Sequence, residues 1–129
     1  MTLPSSMSAL QMVGLDTLVS TRLPLPLPGP QDVLIRTSAA TICTSDLHDL
    51  AHNPFGIALP RVLGHEASGV VVQCGAQVES PAPGTRVGVH PVVPCGACEE
   101  CARGLEHLCS HLGHLGLEDR KSTRLNSSH

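Results

Sequence analysis

Apolar residues along this chain fall into short runs of β-branched and aliphatic side chains, each cut off by glycine or proline. Met1–Ser6 reads as a loose leader, with Met7 an equally good start. Leu10–Thr21 predicts a weak strand region, interrupted at Gly14. Leu23-Pro-Leu-Pro-Leu-Pro-Gly-Pro30 follows, and it predicts neither helix nor central strand, because each proline lacks a backbone donor. It is pre-extended, as suits a stiff surface connection or a PxxP-type docking ligand. Asp32–Ala40 is β-rich. Ile42–Leu50 predicts a short helix, with Thr44 or Ser45 as its N-cap. Ala67–Val78 contains Val70-Val71-Val72 and predicts a strand ending in a turn at Gly75. Pro81-Ala-Pro-Gly-Thr is another turn, and Arg86–Val93 a further strand. The pattern predicts a mainly β chain with short helices, barrel-like in form. There are no internal repeats. No G-x-G-x-x-G lies between a strand and a helix, so a Rossmann unit is not expected here.

Composition narrows the picture. With 129 residues there is room for one modest core, and with a single Phe and no Tyr or Trp that core is expected to be Val, Leu and Ile. The net charge of −3 is made of interspersed acids and bases, which gives no surface for nucleic acid or anionic membrane. No apolar run has the length to cross a bilayer. No basic-then-apolar leader opens the chain, so a reducing cytoplasmic setting is expected.

The strongest chemistry lies in the run from Cys95 through Cys98 and Cys101 to Cys109, spaced C-x2-C-x2-C-x7-C. Four thiolates at such spacing suit zinc, which takes sulfurs at about 2.3 Å in a closed tetrahedron with no position for substrate. C-x2-C-x2-C also opens a bacterial ferredoxin pattern, but that pattern continues x3-C-P. Here seven residues intervene and Ser110 follows. A structural zinc lobe over about residues 90–113 is therefore expected. An iron–sulfur electron carrier is the alternative.

Upstream stand Cys43-Thr-Ser45-Asp46-Leu-His48 and Gly64-His65-Glu66-x2-Gly69-x5-Gly75-x2-Val78. The second resembles the zinc alcohol dehydrogenase signature at each fixed position, and the cysteine lobe resembles the structural zinc lobe of the same medium-chain dehydrogenase/reductase family. Pro28-Gly-Pro30 before a strand and Cys43-x-Ser45-Asp46-x-His48 after it keep the family's order. The resemblance covers about residues 8–117. It implies the amino-terminal part of a GroES-like β-barrel catalytic domain. In such enzymes Cys43 and His65 would ligate the catalytic zinc. Glu66 matches a carboxylate that ligates zinc in some members and approaches it in others. Asp46 would orient the ligand histidine, and Ser45 and His48 match the proton relay. A remaining zinc ligand is expected beyond Glu118. The full enzyme would be a homo-oligomer oxidising a small-molecule alcohol with NAD or NADP. A zinc-binding module without catalysis is the other alternative.

Asp119–His129 differs sharply from what precedes it and resembles the translation of a widely used sequencing-library adapter, whose leading base would complete the Glu118 codon. These eleven residues are read as non-native, with residues 1–118 forming the part of interest. Cys74 is expected to be a small buried hydrophobe. His52, His90, His107, His111 and His114 lie outside the motifs and are read as solvated or core histidines.

Overall fold

A computed structural model describes residues 2–117. The adapter-like segment Asp119–His129 lies outside the described residues. Strand β1 (Ser6–Gly14) and β2 (Thr17–Pro24) form an antiparallel hairpin paired from Ser6↔Pro24 to Gly14↔Thr17, with a one-residue register shift between Met12 and Gly14. The weak strand region is thus two strands. Asp16 supplies the positive φ of 50° that a tight hairpin turn needs, and short polar side chains accept this backbone best. The presumed leader is also ordered from Ser5, whose carbonyl accepts from the Leu25 N–H at 3.0 Å. The proline segment then leaves β2 at the edge of its sheet, where missing donors cost nothing.

Strand β3 (Val33–Thr41) leads into helix α1 (Thr44–His52), and the two-residue strand β4 (Arg61–Val62) pairs with β1 to complete a sheet ordered β2-β1-β4. Strand β5 (Glu66–Cys74) lies between β3 and β6 (Arg86–Gly88) in a second, antiparallel sheet. The long strand expected over Arg86–Val93 is broken. After β6 the chain turns at His90-Pro91, and β7 (Val92–Val93) pairs instead with β8 (Gly113–His114), across the cysteine lobe. Short helix α2 (Glu99–Ala102) and a 3-10 turn at Glu106–Leu108 lie between them. The hairpin tip is tied to α1, because the Asp16 N–H donates to the Leu50 carbonyl at 2.9 Å.

Leu34, Ile57, Val71 and Leu115 are buried as an aliphatic core requires. Methionine was not expected there, yet Met7 is buried and Met12 is fully enclosed. Without aromatic rings, a long unbranched thioether fills irregular core space. Phe55, the single aromatic residue, is 71 % exposed. Gly75 explains itself by close approach: a Cβ there would collide with the backbone carbonyls of Gly29 and Pro30. Its N–H donates to Asp32 at 2.8 Å, so the turn after β5 is clamped against the start of β3. Cys74 is half-buried, not enclosed, and its Sγ donates to the Pro81 carbonyl at 3.2 Å. No helix among the described residues is long and apolar enough to cross a membrane.

Candidate metal centres

The cysteine lobe is built from local backbone. Gly96 turns the chain so that the N–H groups of Ala97 and Cys98 point at Cys95 Sγ, 3.4 and 3.3 Å away. Cys98 caps α2, which carries Cys101, and the 3-10 turn returns the chain to Cys109. Cys109 is buried, and its Sγ accepts from the N–H groups of Cys95 at 3.2 Å and His111 at 3.4 Å. The four sulfurs lie within 4.8 Å of one another, with Cys98 and Cys109 at 3.9 Å, and none is in a disulfide.

Electrostatics divides these thiols. The Ala97 and Cys98 N–H groups hold the Cys95 thiol down at about 6, and the Cys101 N–H lowers that of Cys98. Burial, with the neighbouring Cys98 sulfur, pushes Cys101 up to about 12. Donor N–H groups favour thiolate, but four sulfurs so close cannot all ionise without a cation among them. A divalent soft cation removes that conflict, because coordination deprotonates a thiol outright. The donor set fits zinc.

The second cluster is assembled from distant segments. Cys43 Sγ, a His65 ring nitrogen and a Glu66 carboxylate oxygen lie within 4.8 Å of one another. Antiparallel pairing makes this possible: Cys43 follows the end of β3, and Glu66 begins β5, its neighbour. Gly64 has a φ of 109°, a left-handed conformation that a side chain would resist, and it turns the chain so that His65 is buried at 8 % exposure.

Cys43, not Thr44 or Ser45, is the N-cap of α1. The reason is Asp46, whose Oδ2 accepts from the Cys43 N–H at 2.9 Å, the reach-back half of a capping box. Its other oxygen, Oδ1, is 3.4 Å from His65 Nδ1. One carboxylate thus starts the helix beside Cys43 and faces the His65 ring. Sulfur, nitrogen and oxygen donors in this number leave a coordination position open, as a catalytic zinc requires.

Ser45 and His48 lie on α1, both exposed and outside the donor cluster. The His48 ring stacks loosely on His52, centroids 6.4 Å apart. Two neighbours of the cluster carried no sequence motif. The His114 ring meets His65 edge-on at 4.9 Å, held by an Nδ1 contact to the Leu115 carbonyl at 2.7 Å. The Thr41 hydroxyl donates to Glu66 Oε2. A sequence signal for either would have required knowing that β8 and β3 border the site.

The family model of the alcohol dehydrogenase GroES-like domain matches residues 29–123. The chain belongs to the zinc-type medium-chain dehydrogenase family. It is 48 % identical over 86 residues to aldehyde reductase YahK of Escherichia coli (strain K12), a match spanning 66 % of this chain and 25 % of that protein. It is 37 % identical over 117 residues to sorbitol dehydrogenase of Bacillus subtilis (strain 168), covering 88 % of this chain and 33 % of the relative. Its fold is similar, with TM-score 0.78 and 32 % identity, to a Sinorhizobium meliloti 1021 protein assigned as a zinc-binding dehydrogenase and solved bound to NADP. That match covers 98 % of this chain and 34 % of the other. The chain therefore spans about a quarter to a third of the length of these relatives. The mainly β architecture is that of the family's GroES-like domain.

Proposed function

We propose that this chain provides the alcohol-activating part of a zinc-dependent alcohol or polyol dehydrogenase. The observation that carries the reading is the convergence of Cys43, His65 and Glu66, with Asp46 facing the His65 ring. Cys43, His65 and Glu66 would hold the catalytic zinc, and Cys95, Cys98, Cys101 and Cys109 a structural one. When bound, the catalytic zinc supplies Lewis acidity that lowers the pKa of an alcohol hydroxyl. The remaining steps belong to side chains of this chain. Asp46 accepts from His65 Nδ1–H, which leaves Nε2 as the donor atom and raises its basicity. Ser45, two residues beyond Cys43, accepts the substrate proton at its hydroxyl oxygen as it gives up its own hydroxyl proton. His48, three residues further along the same helix, carries that proton to solvent. The nicotinamide that takes the hydride, NAD or NADP, is held by a dinucleotide-binding unit that these 129 residues do not contain. Positioning of nicotinamide against substrate is the enzyme's main contribution to rate. This chain by itself therefore contributes activation without turnover.

The purified chain, supplied with zinc, NAD or NADP and a panel of alcohols and polyols, is expected to show no sustained turnover. A longer product carrying this segment followed by a dinucleotide-binding domain is expected to turn over, and to lose activity on His65→Ala. Turnover by the 129-residue chain alone would overturn the division of labour. An inactive longer product that binds both metals and nicotinamide would overturn the dehydrogenase reading.

A further inference from the structure

We propose that Thr41 is a positioning residue for the second metal centre, fixing the Glu66 carboxylate where it can act as a ligand. This inference rests on the reading of Cys43, His65 and Glu66 as a metal site.

The argument begins with register. Between Thr37 and Ala39 the β3–β5 ladder slips by one residue, with Ser38 left over on β3. Before the slip Thr37 faces Gly69; after it Ala39 faces Ser68, Ala40 faces Ala67 and Thr41 faces Glu66. Continued without the bulge, the ladder would set Thr41 opposite His65, and the hydroxyl would lose its partner. A bulge of this kind re-aims side chains at a functional edge. Residues directly opposite on antiparallel strands have Cβ atoms about 5 Å apart, close enough for a hydroxyl to reach a carboxylate.

The chemistry follows from the two side chains. Glu66 is exposed, and an untethered glutamate samples many rotamers, most of them directed at water. Threonine is β-branched and stiff at χ1, so its hydroxyl is a fixed anchor. It donates to Oε2, and a carboxylate has lone pairs enough to accept this bond and still offer an oxygen to a metal. The tether thus lowers the entropy cost of recruiting Glu66 beside Cys43 and His65. Outer contacts of this type change metal affinity by about 10- to 100-fold when removed.

Cobalt(II) titration of the full chain, with the cysteine lobe first filled by zinc, reads the second centre through its visible absorption. Thr41→Val keeps shape and removes the hydroxyl; it is expected to weaken cobalt binding by about 10- to 100-fold, and Thr41→Ser to restore it to within about 3-fold. In a Glu66→Ala background Thr41→Val is expected to have no further effect, since Thr41 acts through that carboxylate. An equal loss in both backgrounds would show a merely structural role and overturn the proposal, as would unchanged cobalt affinity in Thr41→Val. Cys43→Ser separates the two levels. If it abolishes cobalt binding while Thr41→Val does not weaken it, the site stands and the tether falls. If Cys43→Ser leaves cobalt binding intact, the metal-site reading fails and this inference with it.

Discussion

The two candidate metal centres offer the same element opposite kinds of site. All the lobe's donors come from one stretch between Cys95 and Cys109, and backbone N–H groups of that stretch aim at its sulfurs. The other centre gathers Cys43 from the end of one strand and His65 and Glu66 from the start of another, and depends on a bulged ladder between them. A local site needs little from the rest of the molecule. A dispersed site inherits every uncertainty of the fold, but it can leave a coordination position open and place a helix beside it. The difference teaches that a site's dependence on the fold follows from how far apart in the chain its donors lie.

That contrast can be broken. The largest effect is expected from Cys98→Ser, which leaves three sulfurs and removes a structural ion of the kind whose binding contributes on the order of 10 kcal/mol to folding small domains. Metal analysis should show one equivalent lost, and hydrogen exchange should show residues 95–109 opened while β3 and β5 stay protected. Opening of both sheets together would mean that the lobe is not an independent unit. Next in size, Cys43→Ser should remove the other equivalent and leave the lobe's affinity unchanged. Loss of both metals would erase the distinction.

A core substitution sharpens the contrast. Met12→Ala empties a fully enclosed position and is expected to cost about 2–5 kcal/mol in a thermal or urea melt. The dispersed centre should weaken, because the β1–β2 hairpin is tied through the Asp16 N–H to Leu50 of α1, the helix that Cys43 caps, and the lobe's cobalt spectrum should not move. The smallest effect is expected from Asp46→Asn, which keeps the size of the side chain while weakening its hold on both Cys43 and His65. Metal affinity at the dispersed centre should fall by about 10- to 100-fold. The cap on α1 should weaken by about 1 kcal/mol or less, read as helix signal in a melt. An unchanged affinity would mean that the 3.4 Å contact with His65 orients nothing.

How much was legible differs between the two regions for the same reason. At the lobe, spacing alone named the four donors, because a span of fifteen residues can only fold back on itself. At the dispersed centre, Cys43, His65 and Glu66 were named through a family resemblance, and nothing in their spacing places residue 43 beside residue 65. Strand existence was readable from Val70–Val72 and from the β-rich run after Pro30. Strand limits were not. Arg86–Val93 looked continuous, because its break depends on β8 arriving to pair with Val92 and Val93. The N-cap went to Cys43 because the Asp46 carboxylate three residues on reaches back to its N–H, which outweighed the better intrinsic caps Thr44 and Ser45.

What the sequence by itself determined is everything decided within a few bonds: the cysteine lobe, the extended proline segment, the β-forming runs and the glycines that punctuate them. Only tertiary structure decided the rest. It put Met7 and Met12 in the core, because burial depends on which face of the hairpin the rest of the chain covers. It chose the register that sets Thr41 against Glu66, since a one-residue slip is invisible in composition and reverses every side chain's partner. It also brought His114 against His65 from 49 residues away, through a two-residue strand too short to announce itself.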